Sequence, residues 1–196
     1  MSPPPAVRPR ARLWLVRHAQ PVVAAGTCYG ALDVPADAAA TQVAAQRLAQ
    51  ALPAGAAAHY STLQSCELLA RATQALQPNL TIRPGTRLRE MNFGAWEGRA
   101  WDSIGQSAID AWTADCAQHR PGGGDNLATL LARVAAALSD ARQQAQDGND
   151  VVWFTHAGVA RCVAWLLAHG EGPMPRADEW PLAAPAWGEW EIHHLT

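Results

Sequence analysis

Arg12-Leu13-Trp14-Leu15-Val16-Arg17 is an apolar run of strand length, and it stops abruptly on His18-Ala19-Gln20-Pro21. A second such run, Val151-Val152-Trp153-Phe154-Thr155, ends in the same way on His156. Short apolar runs bounded by turn residues read as buried strands. Between them the punctuation is regular. Asp37 is placed to cap a helix over Ala38–Leu52, with Val43, Leu48 and Leu52 on one side and Pro53-Ala54-Gly55 ending it. Ala57–Tyr60 reads as a strand, and Ser61 or Thr62 as the cap of a helix running to about Leu76, anchored by Leu63, Leu68, Leu69 and Leu76.

Leu80–Arg83 reads as a short strand, followed by irregular chain through Arg99. A helix is expected over Trp101–Cys116, with Trp101, Ile104, Ile109 and Trp112 apolar, then a glycine-rich loop over His119–Asp125. Asn126–Gln146 is expected as a long helix, Gly158–His169 as another, and Gly188–Leu195 as a last strand. Strands alternating with helices define an α/β domain with a mainly parallel sheet. With 196 residues the chain suits one domain over 12–196, preceded by a Pro-rich tail over 1–11 that is expected to be flexible.

Composition narrows the chemistry. The chain has no lysine, so all 15 basic residues are arginine. That removes Schiff bases, pyridoxal aldimines and the phosphate-loop lysine, and any bound anion must be held by guanidinium, imidazole or backbone N–H. A net charge of −2 argues against a nucleic-acid partner held by bulk electrostatics. Leu13–Val16 is too short for the apolar core of an export signal, and Val151–Ala168 is interrupted by His156 and Arg161, so no membrane span is expected. Cys28, Cys66, Cys116 and Cys162 lack the paired spacing of zinc or redox sites and read as free thiols of a cytoplasmic protein. With no Gly-x-Ser-x-Gly elbow, the sequence also speaks against a serine hydrolase.

In open α/β sheets ligands bind beyond the carboxyl ends of the strands. If the two histidine-terminated strands are neighbours, Arg17, His18 and His156 meet in one small anion pocket. Arginine grips phosphate through paired charge-assisted hydrogen bonds, and a histidine in that field can act as a nucleophile through one ring nitrogen. A leaving oxygen also needs a proton. Glu90 and Glu97 are the carboxyl candidates, and Glu90 is the better one, because apolar neighbours there can raise its pKa. Tyr29 is balanced between loop packing and phosphate contact. Trp96 and Trp101 are the tryptophans expected to border a pocket.

Four stretches in order, LVRHAQ, STLQSCELLA, LREMNFGAWEG and FTHAGVAR, resemble the histidine phosphatase (phosphoglycerate mutase-like) superfamily from Leu13 to Leu167. Residues 28–35 (CYGALDVP) and the glycine loop Gly122–Asn126 are most similar to its α-ribazole phosphatase branch, which acts in cobalamin assembly. The resemblance implies a phosphoglycerate mutase-like three-layer sandwich and a metal-independent phosphomonoesterase with no cofactor. It implies attack by His18, proton transfer by Glu90, and a phosphate held by Arg17 and His156. Backbone N–H groups near Tyr29-Gly30 and at Ala157 would help. The implied substrate is a small phosphorylated metabolite; whether the chain is a monomer or a dimer stays open.

One departure is large. Family members place a second arginine where this chain has Ser65. Loss of one charged donor from such a pocket costs on the order of a hundredfold in rate. Arg71 lies about 9 Å further along the helix and on another face. A replacement cation would have to be Arg89, Arg99 or Arg161; Arg89, like Ser65, is counted with the substrate-binding residues. Two alternatives therefore stand beside the phosphatase: a weakened phosphatase fold that binds a phosphorylated ligand, and a mutase-type phosphotransferase.

Overall fold

The computed structural model describes residues 11–145 and 148–195. Of the expected tail, residues 1–10 lie outside the described residues, as do Gln146 at the end of the expected long helix and Asp147. Ala11 is buried, and its carbonyl accepts the Leu195 N–H.

Strands β1 (Arg12–Arg17), β2 (Ala57–Tyr60), β3 (Thr81–Pro84), β4 (Val151–Thr155) and β5 (Trp190–His194) form one sheet in the order β3-β2-β4-β1-β5. The first four run parallel, and β5 pairs antiparallel with β1 at the edge. This is the expected α/β architecture, a mainly parallel sheet between helices.

Strand alternation builds the layers. Leu13, Leu15, Val151 and Trp153 point into a core shared with α4 (Leu127–Ala145) and α5 (Ala157–His169). Trp14, Val16, Val152 and Phe154 point the other way, against α1 (Ala38–Ala51) and α2 (Gln64–Leu76). Period-two strands covered on both faces need apolar residues at every position, as these two runs supply. All five residues of β4 are buried.

Several local expectations are corrected. Val43 is exposed while Leu48 and Leu52 are buried, because five residues around a helix do not return to the same face. Leu68 and Leu76 are likewise exposed; the buried stripe of α2 runs through Ser65, Cys66, Leu69, Ala70 and Thr73. Neither Ser61 nor Thr62 caps α2. The N-cap position is Leu63, and Asp33 reaches in from a distant loop to accept the Gln64 N–H at 2.7 Å. Asp37 does cap α1, accepting from Ala40 at 2.8 Å.

The helix expected over Trp101–Cys116 is split. A single 3-10 turn covers Trp101–Ser103, and α3 covers Gln106–Ala114, with Gly105 extended between them. Phe93, Trp101 and Trp112 pack with Cys28, Trp96 and Ile104 as a small separate cluster. The four cysteines are unpaired thiols, and among the described residues no helix is long and apolar enough to cross a membrane.

Candidate active site

Parallel pairing of β1 with β4 sets Arg17 opposite Thr155, so the next residues, His18 and His156, come side by side. Their ring centroids are 5.2 Å apart, and both residues are buried. The His18 N–H is fixed by the Thr155 carbonyl at 3.1 Å. Its ring Nδ1 lies 2.7 Å from the Ala19 carbonyl, which can only accept, so Nδ1 carries the hydrogen and Nε2 keeps its lone pair. Burial lowers the His18 pKa to about 4, against an upward pull from the Ala19 bond, with Arg17 adding to the fall. Burial, then His18 and the arginines around it, holds His156 well below the ordinary imidazole range. Both rings are neutral at pH 7.

Two residues that carry no signal of their own in the sequence position His156. Ser61 Oγ lies 2.8 Å from its Nε2, and the Cys66 Sγ lies 3.4 Å from the same nitrogen. Ser61 directly follows β2, as His18 follows β1 and His156 follows β4. Applying the strand-end rule to the weaker third strand finds it.

Glu90 stands across the cavity at the start of α5. Gly158 donates its N–H to Oε2 at 2.8 Å, and Met91 donates to Oε1 at 3.1 Å. Burial raises the carboxyl pKa above its usual range, while these N–H groups and Arg133 and Arg161 pull it back. Glycine at 158 lets the carboxyl sit this close, since a Cβ there would press against Glu90 Oε1 and displace it. Arg133 on α4 sets the loop from the other side, donating to the carbonyls of Arg87, Arg89 and Glu90. Thr155 adds a 2.8 Å bond to the Leu88 carbonyl.

Arg17, His18, Tyr29, Glu90, His156, Ala157 and Arg161 all line one cavity of about 380 Å3. The Arg17 guanidinium rests on the Pro185 carbonyl at 3.0 Å and over the Trp187 ring, while its Nε is buried without an acceptor among the described residues. Arg161 donates to the Leu182 carbonyl of the same segment. Tyr29 meets His18 edge-on, ring centroids 6.5 Å apart.

Five expectations need correction. The Gly30 N–H does not face the cavity; Glu97 accepts it at 2.9 Å, together with the N–H groups of Ala31, Leu32 and Phe93. Glu97 is therefore a staple between two loops, and position 30 is glycine because a Cβ there would collide with the Met91 carbonyl oxygen. Ser65 is buried in the first turn of α2, off the cavity wall. Arg89 is exposed and off the cavity wall; it borders a second depression with Arg87, Asp125 and Arg133 that shares only Glu90 with the cavity's lining. Arg99 donates to the Ser103 carbonyl and stays outside the cavity. Of the three possible replacement cations, Arg161 is the one in the wall. Trp101 borders the cavity as expected and Trp96 does not; Trp112 and Trp180 do, with nothing in their spacing to announce it.

Two strands ending in histidine, a neutral imidazole with its Nε2 lone pair available, and a carboxyl group raised in pKa across an arginine-lined cavity form an arrangement chemically suited to phosphoryl transfer. The chain belongs to the histidine phosphatase superfamily (branch 1), whose family model matches residues 13–193. Among solved structures it is similar to mycobacterial glucosyl-3-phosphoglycerate phosphatase, with 23% identity, a TM-score of 0.77, and coverage of 94% of this chain and 90% of that one. A Thermus thermophilus protein, TTHB049, is 28% identical, with a TM-score of 0.69 over 92% of each chain. A protein described as mycobacterial hydrolase 1 has 22% identity and a TM-score of 0.77, over 93% of this chain and 88% of that one. The mycobacterial likenesses speak for the fold. No curated protein matches the chain.

Proposed function

We propose that the protein is a metal-independent phosphomonoesterase working through a phosphohistidine at His18. The observation that carries this reading is the His18 ring itself, neutral, pinned through Nδ1 to Ala19 and lining the cavity that Glu90 faces. In the first step Nε2 attacks phosphorus, the ester oxygen departs, and Glu90 gives that oxygen its proton. In the second, Glu90 as carboxylate takes a proton from water, whose oxygen displaces Nε2 and releases inorganic phosphate. Arg17, His156, Arg161 and the N–H of Ala157 at the α5 terminus meet the phosphoryl oxygens, so catalysis is positioning plus electrostatics.

For the substrate we propose a small phosphorylated metabolite of the cytoplasm, with α-ribazole 5′-phosphate the first compound to try. That choice rests on the resemblance of residues 28–35 and Gly122–Asn126 alone. One observation favours a second reading. With Ser65 off the cavity wall, the protein holds a phosphorylated ligand and turns it over slowly.

A phosphate-release screen over phosphomonoesters separates them, run with wild type, His18→Ala and Ser65→Arg. The phosphatase reading expects release that His18→Ala abolishes and a chelator leaves intact. The slow-binder reading expects Ser65→Arg to raise release about a hundredfold. Transfer of phosphate between substrate hydroxyls, in place of release to water, would indicate a mutase.

A further inference from the structure

The cavity wall carries two unlike groups of side chains. One is charged: Arg17, close enough to act on His18 and His156, and Arg161, close enough to act on the Glu90 carboxyl. The other group is Phe93, Trp101 and Trp112, packed on one another, with Trp180 elsewhere in the wall; among the described residues the charged side chains lining the cavity are Arg17, Glu90 and Arg161. The rings of Phe93 and Trp101 meet edge-to-face at 5.6 Å, and Phe93 and Trp112 at 5.9 Å. Trp101 and Trp112 are within 9° of parallel. Trp96 belongs to the same cluster but is buried and off the wall, so it is the packing residue of the group. The other three, and Trp180, keep ring surface open to the cavity.

We infer that this aromatic group is the leaving-group subsite, and that it selects phosphomonoesters whose alcohol carries a flat, apolar body. The inference rests on the proposed phosphatase reading and names its substrate class. Three physical arguments carry it. Half-open aromatic faces gain most from burying a flat apolar group, by area and by ring-to-ring geometry. A cavity of about 380 Å3 lies within the range of small-ligand sites, with room for more than a bare phosphate. A leaving group bearing a carboxylate would set its charge against ring faces, with both guanidiniums of the wall already at the phosphate. Trp112 adds a detail: its indole N–H is buried without an acceptor among the described residues, so packing holds the ring.

The test compares ethyl phosphate with 2-phenylethyl phosphate, whose leaving alcohols have similar basicity, so that any preference reports on binding of the ring. Wild type is expected to favour 2-phenylethyl phosphate by about tenfold or more in kcat/KM. Trp112→Ala is expected to shrink that ratio toward one, and Trp112→Phe to keep most of it. The ratio is its own folding control, because a variant that merely unfolds loses both activities together. Equal kcat/KM for the two esters in wild type, or a ratio unmoved by Trp112→Ala, overturns the inference.

Calorimetric binding of ethylphosphonate and 2-phenylethylphosphonate separates this inference from the catalytic reading. If neither ester is hydrolysed but 2-phenylethylphosphonate binds at least about tenfold tighter, the phosphatase reading falls and the subsite stands. If neither ester is hydrolysed and the phosphonates bind alike, both fall.

Discussion

Helices α2 and α5 occupy equivalent places in the fold. Each follows a parallel strand, and each begins at the same sheet edge beside His156. Their first turns are nonetheless built for different work. The start of α5 is open to the cavity: Ala157 and Gly158 line it, Gly158 receives the Glu90 carboxyl, and Arg161 follows one turn on. The start of α2 is closed. Asp33 takes the Gln64 N–H, Ser65 is buried, and Cys66 sets its thiol against His156. Two helix N-termini with the same backbone capacity for an anion thus diverge by their side chains, and in the proposed reading the phosphate contacts fall on the α5 side.

Glu90→Gln attacks the α5 side most directly. The amide keeps the shape but cannot give or take the proton, so kcat is expected to fall on the order of a thousandfold, measured by phosphate release. Retention of most activity would move the proton donor elsewhere.

The pH behaviour of the histidines sharpens the same contrast. Because burial holds its pKa down to about 4, the His18 ring is neutral at neutral pH and charges only as the pH falls toward that value. An NMR titration following the His18 ring signals should find its midpoint near that same value, about 4. A midpoint at the ordinary value of about 6.5 would show the ring to be open to water.

Gly158→Ala places a methyl group where the Glu90 carboxylate now lies, and the carboxylate must move. A displacement of about 1 Å at such a group costs on the order of a hundredfold in kcat, readable in steady-state kinetics with the fold checked by circular dichroism. The smallest effect belongs to the other helix. Asp33→Ala removes the acceptor at the start of α2 and is expected to cost about 1 kcal/mol in urea unfolding, with kcat changed less than about twofold. A large loss of kcat there would mean that α2 does more than support His156.

How much of this is legible in the sequence follows from how local each signal is. The two apolar runs ending on histidine predict strands, their layers and the two ring positions, because burial and termination are written in adjacent residues. Glu90 is legible for the same reason, as a carboxyl set among apolar neighbours. Ser61, Arg133 and the true role of Glu97 are not, because each acts on backbone or side chains dozens of residues away. Gly30 is misread as a phosphate contact because spacing carries no trace of the Met91 carbonyl packed against it. The break at Gly105 escapes because apolar spacing across it still mimics one helix. The lack of lysine keeps its meaning throughout: of the arginines put forward to replace the one missing at position 65, only Arg161 reaches the cavity wall.

The central claim is that His18 carries the phosphoryl group between the two steps. Rapid quenching of the enzyme with a labelled phosphomonoester it turns over, followed by peptide mapping, tests this directly. The account predicts acid-labile, base-stable phosphate on the peptide containing His18, absent in His18→Ala. Turnover with no label on His18, or label on any other residue, would contradict it.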